Sequence, residues 1–192
     1  MTSNKTNITE QRSGDRRYLS IMSPNTKGEK FAWLDPTTIY INGDAFHDLL
    51  NDLVSDLENV TCDVIAGLDA MGFVLGSALA TRLGVGFLPI RKAGKLCVDT
   101  DSVTFSNYSG RTQDMEMRKP AFAAGTKVLL VDQWIETGGT MDGAIRLVQQ
   151  QGGKVYSLNE ISNNYVKIEE LIIGGENDDW AIEEHEDLVF KD

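Results

Sequence analysis

The residues of this chain best suited to chemistry lie together in the stretch 128–140, which reads VLLVDQWIETGGT. An apolar run ends in Asp132, and a Thr-Gly-Gly-Thr turn then opens a helical pattern. Glycines allow a tight turn that presents amide N–H groups to an anion, and a helix N-terminus adds partial positive charge. The stretch therefore predicts a phosphate site, with Asp132 placed to accept hydrogen bonds from sugar hydroxyls. The predicted phosphate loop consists of Glu136, Thr137, Gly138, Gly139 and Thr140.

A glycine turn of this kind is weak evidence when it stands alone. The pair Gly138-Gly139 would suit any tight connection between a strand and a helix, and the lysine and spacing of a Walker loop are absent. The complete order of buried strand, acid, turn and helix is far more specific than the turn itself. We therefore keep the phosphate interpretation.

The elements that must position this loop alternate between helices and strands. Apolar residues at helical spacing over 44–59 predict an amphipathic helix, with Asp44 as its candidate N-cap. The segments that follow continue the alternation, which is typical of a parallel α/β sheet. The predicted strands are 63–67, 85–90, 127–132 and 154–161, and the further predicted helices are 72–83 and 140–151.

Residues 93–119 interrupt this alternation. Two short apolar runs, 103–105 and 115–117, flank the polar turn Ser109-Gly110-Arg111. Two strands joined by such a turn predict a hairpin-like flap beside the sheet.

Composition and charge limit the possible partners. The 192 residues include 29 acidic and 18 basic side chains, a formal net charge of −11. This balance disfavours nucleic acid, which needs a basic face, but allows a phosphorylated small molecule in a local pocket. Cys62 and Cys97 fit no metal spacing and are expected to be free thiols.

The length of the chain predicts a single domain, 1–192, in which residues 1–28 form a polar N-terminal arm. No apolar run reaches transmembrane length, and the N-terminus has no hydrophobic signal region. We therefore expect a cytoplasmic protein without a membrane partner.

Two segments resemble type I phosphoribosyltransferases. The stretch 128–140 is similar to the family signature, in which acids close a strand before a T-G-x-T phosphate loop. The stretch 63–96, DVIAGLDAMGFVLGSALATRLGVGFLPIRKAGKL, is most similar to adenine phosphoribosyltransferases, and the resemblance runs from about Phe31 to Ile161. It implies an α/β fold with a mostly parallel central sheet flanked by helices, a flexible flap, a small hood and a homodimer.

The resemblance also implies roles for individual residues. The loop 136–140 would bind the 5-phosphate of 5-phosphoribosyl 1-diphosphate (PRPP), and Asp132 with Gln133 would bind its ribose. Asp132 would also act in catalysis, together with Tyr108, which stands where the family has a flap glutamate. Mg²⁺ would arrive on the pyrophosphate of PRPP, and no protein metal cage is expected. The implied pyrophosphate residues are Asp69, Ala70, Met71, Arg91, Lys92 and Lys95, with a cis peptide bond between Asp69 and Ala70.

The base would lie against Trp33 and Leu34, although the basic residue of the family's aromatic-basic-Asp signature is missing here. The chain also has Met71 in place of an arginine and Gln133 in place of a second acid. The implied function is transfer of the 5-phosphoribosyl group from PRPP to a purine-like base, adenine first, in purine salvage. The products would be a nucleoside monophosphate and pyrophosphate.

Three alternatives remain at the level of sequence. The first is a phosphoribosyltransferase for a different base. The second is a non-catalytic sensor that binds PRPP or a nucleotide on the same fold. The third is a hydrolase or phosphorolytic enzyme that acts on a nucleoside phosphate.

Overall fold

The computed structural model describes residues 17–24, 26–27, 34–57, 60–106, 111–133 and 138–155. Short elements precede the first long helix. These are a 3-10 helix (Arg17–Ile21), strands β1 (Ser23–Pro24) and β2 (Leu34–Asp35), and helices α1 (Thr37–Ile41) and α2 (Gly43–Asp56). The strands β1 and β2 pair antiparallel.

Among the described residues, a six-stranded sheet forms the centre of the molecule. Its strands are β3 (Val64–Leu68), β4 (Gly86–Lys92), β5 (Thr100–Ser106), β6 (Thr112–Arg118), β7 (Lys127–Val131) and β8 (Lys154–Val155). Two further helices are α3 (Met71–Leu83) and α4 (Gly139–Gln150). The strand order is β5-β6-β4-β3-β7-β8, in which β4, β3, β7 and β8 run parallel and the β5–β6 hairpin runs antiparallel.

Alternating side chains of the central strands divide the core between two faces of the sheet. Ile65 and Leu129 pack with α2 and α3, whereas Ala66, Val128 and Leu130 pack with α4. Successive residues of a strand point to opposite faces, so continuous apolar strands can bury both sides. Each large apolar side chain buried in this way contributes about 1.5–3 kcal/mol.

Helix α2 begins one residue earlier than the sequence predicts, and its N-cap is not Asp44. The side chain of Asn42 accepts a hydrogen bond from the backbone N–H of Ala45 at 3.1 Å, which satisfies a donor that the first turn leaves unpaired. Asp44 instead lies in the first turn, where its negative charge suits the helix dipole. The helix ends at Asp56, and residues 58–59 lie outside the described part of the chain.

The predicted hairpin within 93–119 is present, with longer strands than expected and with a firm attachment at its base. Strand β6 pairs with the end of β4, and Phe105 and Met115 are buried against α4. A guanidinium N–H of Arg146 on α4 donates to the carbonyl oxygen of Thr104 at 2.8 Å. The predicted opening and closing of the flap stays a prediction, and its turn, 107–110, lies outside the described residues.

No helix in the described ranges combines the length and apolar character needed to cross a membrane. Both cysteines are free, as predicted, with Cys62 half-buried and Cys97 exposed.

Candidate active site

The carboxyl ends of three central strands surround a cavity of about 430 Å³. This volume lies in the range of small-molecule pockets, and the position is where α/β sheets bind ligands. Five predicted site residues line the cavity, namely Asp69, Arg91, Lys92, Asp132 and Thr140. They come from β3, β4, β7 and the first turn of α4, so parallel strands bring together residues that are far apart in sequence.

The turn after β3 lies directly beside the end of β7. The backbone of Gly67 meets that of Gly72 so closely that neither position has room for a side chain. A Cβ added at Gly72 would lie 2.5 Å from the carbonyl oxygen of Val131 and 3.3 Å from the Cα of Asp132. The peptide bond between Asp69 and Ala70 is cis, as the resemblance implied. Met71 begins α3.

Arg91 is held in place at the end of β4 by three neighbours. Its Nε lies 3.4 Å from a carboxylate oxygen of Asp69, and another guanidinium N–H donates to the carbonyl oxygen of Lys95 at 3.3 Å. The guanidinium carbon also lies 5.8 Å from the centre of the Phe73 ring. These contacts orient Arg91 at the cavity, with Lys92 beside it at the end of the same strand.

A buried carboxylate fixes the basic segment that follows β4. Glu116 on β6 accepts hydrogen bonds from the backbone N–H groups of Lys95 and Leu96, both at 2.7 Å. Burial raises the pKa of Glu116, but the hydrogen bonds from the N–H groups of Leu96, Gly94 and Lys95 and from the Thr100 hydroxyl outweigh it. The net effect is a pKa below the ordinary value, so the carboxylate is charged at neutral pH.

The predicted ribose pair lies at the end of β7. Asp132 lines the cavity, and one of its oxygens accepts the backbone N–H of Gln133 at 2.7 Å. The side-chain oxygen of Gln133 accepts a hydrogen bond from the Tyr40 hydroxyl at 3.0 Å. Asp132 is therefore the member of the pair that the structure places directly on the cavity.

The described end of the predicted phosphate loop is a glycine turn that leads into a helix. Gly138 has φ of +75°, a conformation that favours glycine, and its carbonyl oxygen accepts the N–H of Asp142 at 2.8 Å. Helix α4 then begins at Gly139, which places Thr140 in its first turn at the cavity. Glu136 and Thr137 lie outside the described residues.

Three further predicted residues are not tested by the structure. Tyr108 and Trp33 lie outside the described residues, and of Leu34 the structure describes only the backbone, which belongs to β2. The side chain of Lys95 is exposed and is absent from the residues that line the cavity. Its backbone, rather than its ammonium group, contributes to the site by binding Glu116 and Arg91.

Comparison with known proteins identifies the family. Residues 38–162, more than half of the chain, match the family model described as Phosphoribosyl transferase domain. The chain belongs to the phosphoribosyltransferase family. Residues 148–188 also match a model described as a protein of unknown function.

Individual relatives agree with this assignment. An adenine phosphoribosyltransferase of Clostridium beijerinckii is 39% identical over 135 residues, which cover 70% of this chain and 78% of that protein. The crystal structure of the Saccharomyces cerevisiae adenine phosphoribosyltransferase, complexed with an imino-altritol bisphosphate and adenine, is 36% identical with a TM-score of 0.64. That match covers 70% of this chain and 78% of the yeast chain.

A second solved structure extends the match further along the chain. The adenine phosphoribosyltransferase of Thermoanaerobacter pseudethanolicus is 33% identical with a TM-score of 0.65, over 80% of this chain and 92% of that chain. These similarities confirm the predicted type I phosphoribosyltransferase fold.

Sequence reasoning missed several residues that this phosphoribosyltransferase places at its cavity. The hairpin contributes Arg111, Gln113 and the apolar side chains Phe105 and Met115. Arg111 is the last residue of the predicted turn Ser109-Gly110-Arg111, and its positive charge was the available signal. Which side chains reach the cavity depends on the register between β5 and β6, which local sequence does not reveal.

Proposed function

We propose that the chain transfers the 5-phosphoribosyl group from PRPP to adenine, giving adenosine monophosphate and pyrophosphate in purine salvage. The observation that carries the proposal is the composition of one cavity. The acid Asp132, the first turn of α4 at Thr140 and the two basic residues Arg91 and Lys92 at the end of β4 all line it. The names of the curated and solved relatives point to adenine as the base.

The arrangement supports one orientation of PRPP. The 5-phosphate would bind the loop 136–140 at the N-terminus of α4, and Asp132 would accept hydrogen bonds from the ribose hydroxyls. The pyrophosphate would lie along the turn 69–71, close to Arg91 and Lys92. The anomeric carbon would then lie between the two ends of the cavity, open to a base.

The reaction needs little covalent participation by the protein. The bond between the anomeric carbon and a pyrophosphate oxygen breaks, and its electron pair leaves with pyrophosphate. A ring nitrogen of adenine forms the new bond and releases its proton. The Asp132 carboxylate would stabilise the positive charge that develops on the ribose, and the cations would stabilise the leaving group.

The residues present are compatible with Mg²⁺, because Asp69 and Asp132 supply hard carboxylate oxygens at the cavity. Mg²⁺ commonly binds to one or two carboxylates together with phosphate oxygens of the substrate. When bound, the ion would offset the charge of the departing pyrophosphate.

Other parts of the proposal come from the sequence. We expect Trp33 and Leu34 to contact the base, Tyr108 to reach the site when the flap 93–119 closes, and the chain to form a homodimer. The described part of the arm 1–28 packs on its own chain, because Tyr18 is buried in the core and its hydroxyl donates to Asp52 on α2. A cytoplasmic location and the boundaries of a single domain, 1–192, also remain predictions.

A turnover assay tests the function directly. The protein is incubated with PRPP, Mg²⁺ and one base at a time from adenine, guanine, hypoxanthine, uracil and orotate, and the release of pyrophosphate and nucleotide is measured. We expect product with adenine. No product with any base would contradict the transferase proposal, and tight PRPP binding in that case would favour the sensor. Ribose 5-phosphate formed without a base would instead favour a hydrolase.

A further inference from the structure

Tyr40 on α1 reaches the ribose pair from a part of the chain that the proposed mechanism does not use. Its hydroxyl donates to the side-chain oxygen of Gln133 at 3.0 Å, although the two residues are 93 positions apart in sequence. The Tyr40 ring packs edge-on against Phe46, with ring centres 5.3 Å apart and an angle of 76° between the rings. The neighbouring Ile39 is 2% exposed and anchors the short helix in the core. The Tyr40 hydroxyl is therefore held in position by a helix that packs in the core.

The surroundings of Tyr40 keep its hydroxyl protonated. Burial raises its pKa above the ordinary value of 10.0, and the carboxylates of Asp132 and Asp35 raise it further. A tyrosine that keeps its proton can donate to the amide oxygen of Gln133. The amide nitrogen of Gln133, with its two N–H donors, is then the end left available for another acceptor.

The amide nitrogen of Gln133 is important for sugar binding because Gln133 directly follows Asp132. Gln133 is adjacent to Asp132, which lines the cavity and whose carboxylate can only accept hydrogen bonds when charged. A vicinal diol offers both hydroxyl protons and hydroxyl oxygens. A carboxylate and an amide nitrogen together can therefore satisfy one hydroxyl as a donor and the other as an acceptor.

We propose that Tyr40 is a positioning residue for PRPP, which holds the Gln133 amide so that its nitrogen donates to a ribose hydroxyl while Asp132 accepts from the diol. The inference rests on the proposed function, since it assigns a role in binding the ribose of that substrate. This role of Tyr40 also explains how an amide at position 133 can bind the ribose where the family has a second acid. Tyr40 acts through Gln133 and does not itself touch the substrate.

The test removes only the hydroxyl, with Tyr40→Phe, and keeps the ring that packs on Phe46. We expect the KM for PRPP and the inhibition constant of ribose 5-phosphate to rise roughly threefold to tenfold, the effect of one misplaced hydrogen bond. The inhibition constant of pyrophosphate, which has no diol, should change less than about twofold.

Tyr18→Phe is the matched control. The Tyr18 hydroxyl donates to a carboxylate oxygen of Asp52, also at 3.0 Å, in the packing between the 3-10 helix and α2. This variant loses a hydrogen bond of the same length away from the cavity. Its melting temperature can fall as much as that of Tyr40→Phe, but its KM for PRPP should equal that of the wild type.

A double-mutant cycle separates positioning from a general structural effect. In a Gln133→Ala background, Tyr40→Phe should change the inhibition constant of ribose 5-phosphate by less than about 1.5-fold, because the residue that it positions is gone. An equal effect in both backgrounds would overturn the proposal, as would an unchanged KM for PRPP in the single variant. Equal weakening of pyrophosphate and ribose 5-phosphate would also overturn it.

Failure of the proposed function can be distinguished from failure of the positioning role of Tyr40. If the wild type shows no turnover, binding of ribose 5-phosphate measured by calorimetry replaces the inhibition constants, and the same variants are compared. Weaker binding in Tyr40→Phe, absent in the Gln133→Ala background, would still support the positioning role. Unchanged binding, or no binding by the wild type, would overturn it.

Discussion

A single methyl group added at Gly72 should separate the two loops that meet at the cavity. The Cβ of an alanine there would lie 2.5 Å from the carbonyl oxygen of Val131, whereas real Cβ atoms essentially never come closer than 3.0 Å. The difference between 3.0 Å and 2.5 Å requires a shift of at least about 0.5 Å. Both nearest atoms, the Val131 oxygen and the Asp132 Cα, belong to backbone and cannot rotate away.

The magnitude follows from two opposing effects of Gly72→Ala. Overpacking of a close contact costs about 1–3 kcal/mol, and replacing a helical glycine by alanine returns up to about 1 kcal/mol. We expect a net loss of about 1–2 kcal/mol, which lowers the melting temperature by about 2–8 °C for a chain of this size. Because the shift occurs between the turn 69–71 and Asp132, kcat/KM for PRPP should fall by about tenfold to a hundredfold.

Steady-state kinetics with varied PRPP and thermal unfolding measure both effects of Gly72→Ala. Gly43→Ala is the matched control, because Gly43 is the first residue of α2 and an added Cβ there meets nothing within 4 Å. That variant should keep wild-type kinetics and equal or greater stability. Wild-type kcat/KM in Gly72→Ala, with a melting temperature equal to that of Gly43→Ala, would refute the reasoning.

Two further predictions concern single carboxylates. Asp132→Asn should lower kcat/KM for PRPP by about tenfold to a hundredfold with little change in melting temperature, since hydrogen bonds to a charged group contribute about 1.5–3 kcal/mol. Asp48→Asn serves as the kinetic control, because the Asp48 side chain is exposed. Equal kinetics in both variants would contradict the role of Asp132. Glu116→Gln should reduce the free energy of unfolding by about 2 kcal/mol at pH 7 in urea titrations. Because the pKa of Glu116 is lower in the folded state than its ordinary value of 4.5, its contribution is complete above about pH 4.5 and is lost as the pH falls through the folded-state pKa. The gap between wild type and Glu116→Gln should therefore shrink as the pH falls below about 4.5, and a gap that is constant from pH 7 to about pH 3 would contradict this account.

The alternating part of the fold could be predicted from the sequence because local patterns determine it. Continuous apolar runs bounded by turns indicated β3, β4 and β7, and helical spacing indicated α2 and α4. The position of the hairpin could not be predicted in this way. Strand β5 has the sequence TDSVTFS, whose alternation is weak, and the hairpin is attached to the central sheet by the pairing of Arg91 in β4 with Glu116 in β6. Such pairings join segments far apart in the chain and leave no local signal.

The same distinction applies to the candidate site. Asp132 could be predicted because it follows a buried strand at the edge where α/β sheets bind ligands, whereas Arg91 and Lys92 were implied by the resemblance to the family. Lys95 was implied by the same resemblance, but the turn after β4 directs its backbone inward and leaves its side chain exposed. The sequence gives no indication of a role for Tyr40, since its contact with Gln133 joins residues 93 positions apart in the chain.

The charges of the site explain how a chain with a net charge of −11 can bind an anionic substrate. The cavity lining holds three cations, Arg91, Lys92 and Arg111, against two carboxylates, Asp69 and Asp132, so it is locally positive by one charge. Compared with the family pattern that the sequence resembles, this chain lacks one positive charge at position 71 and one negative charge at position 133. The two changes leave the total charge of the site unaltered, but they lie at different positions. In the proposed orientation of PRPP they remove a cation from the pyrophosphate end and an anion from the ribose end, and hydrogen bonds with Asp132 and a positioned Gln133 would then hold the sugar.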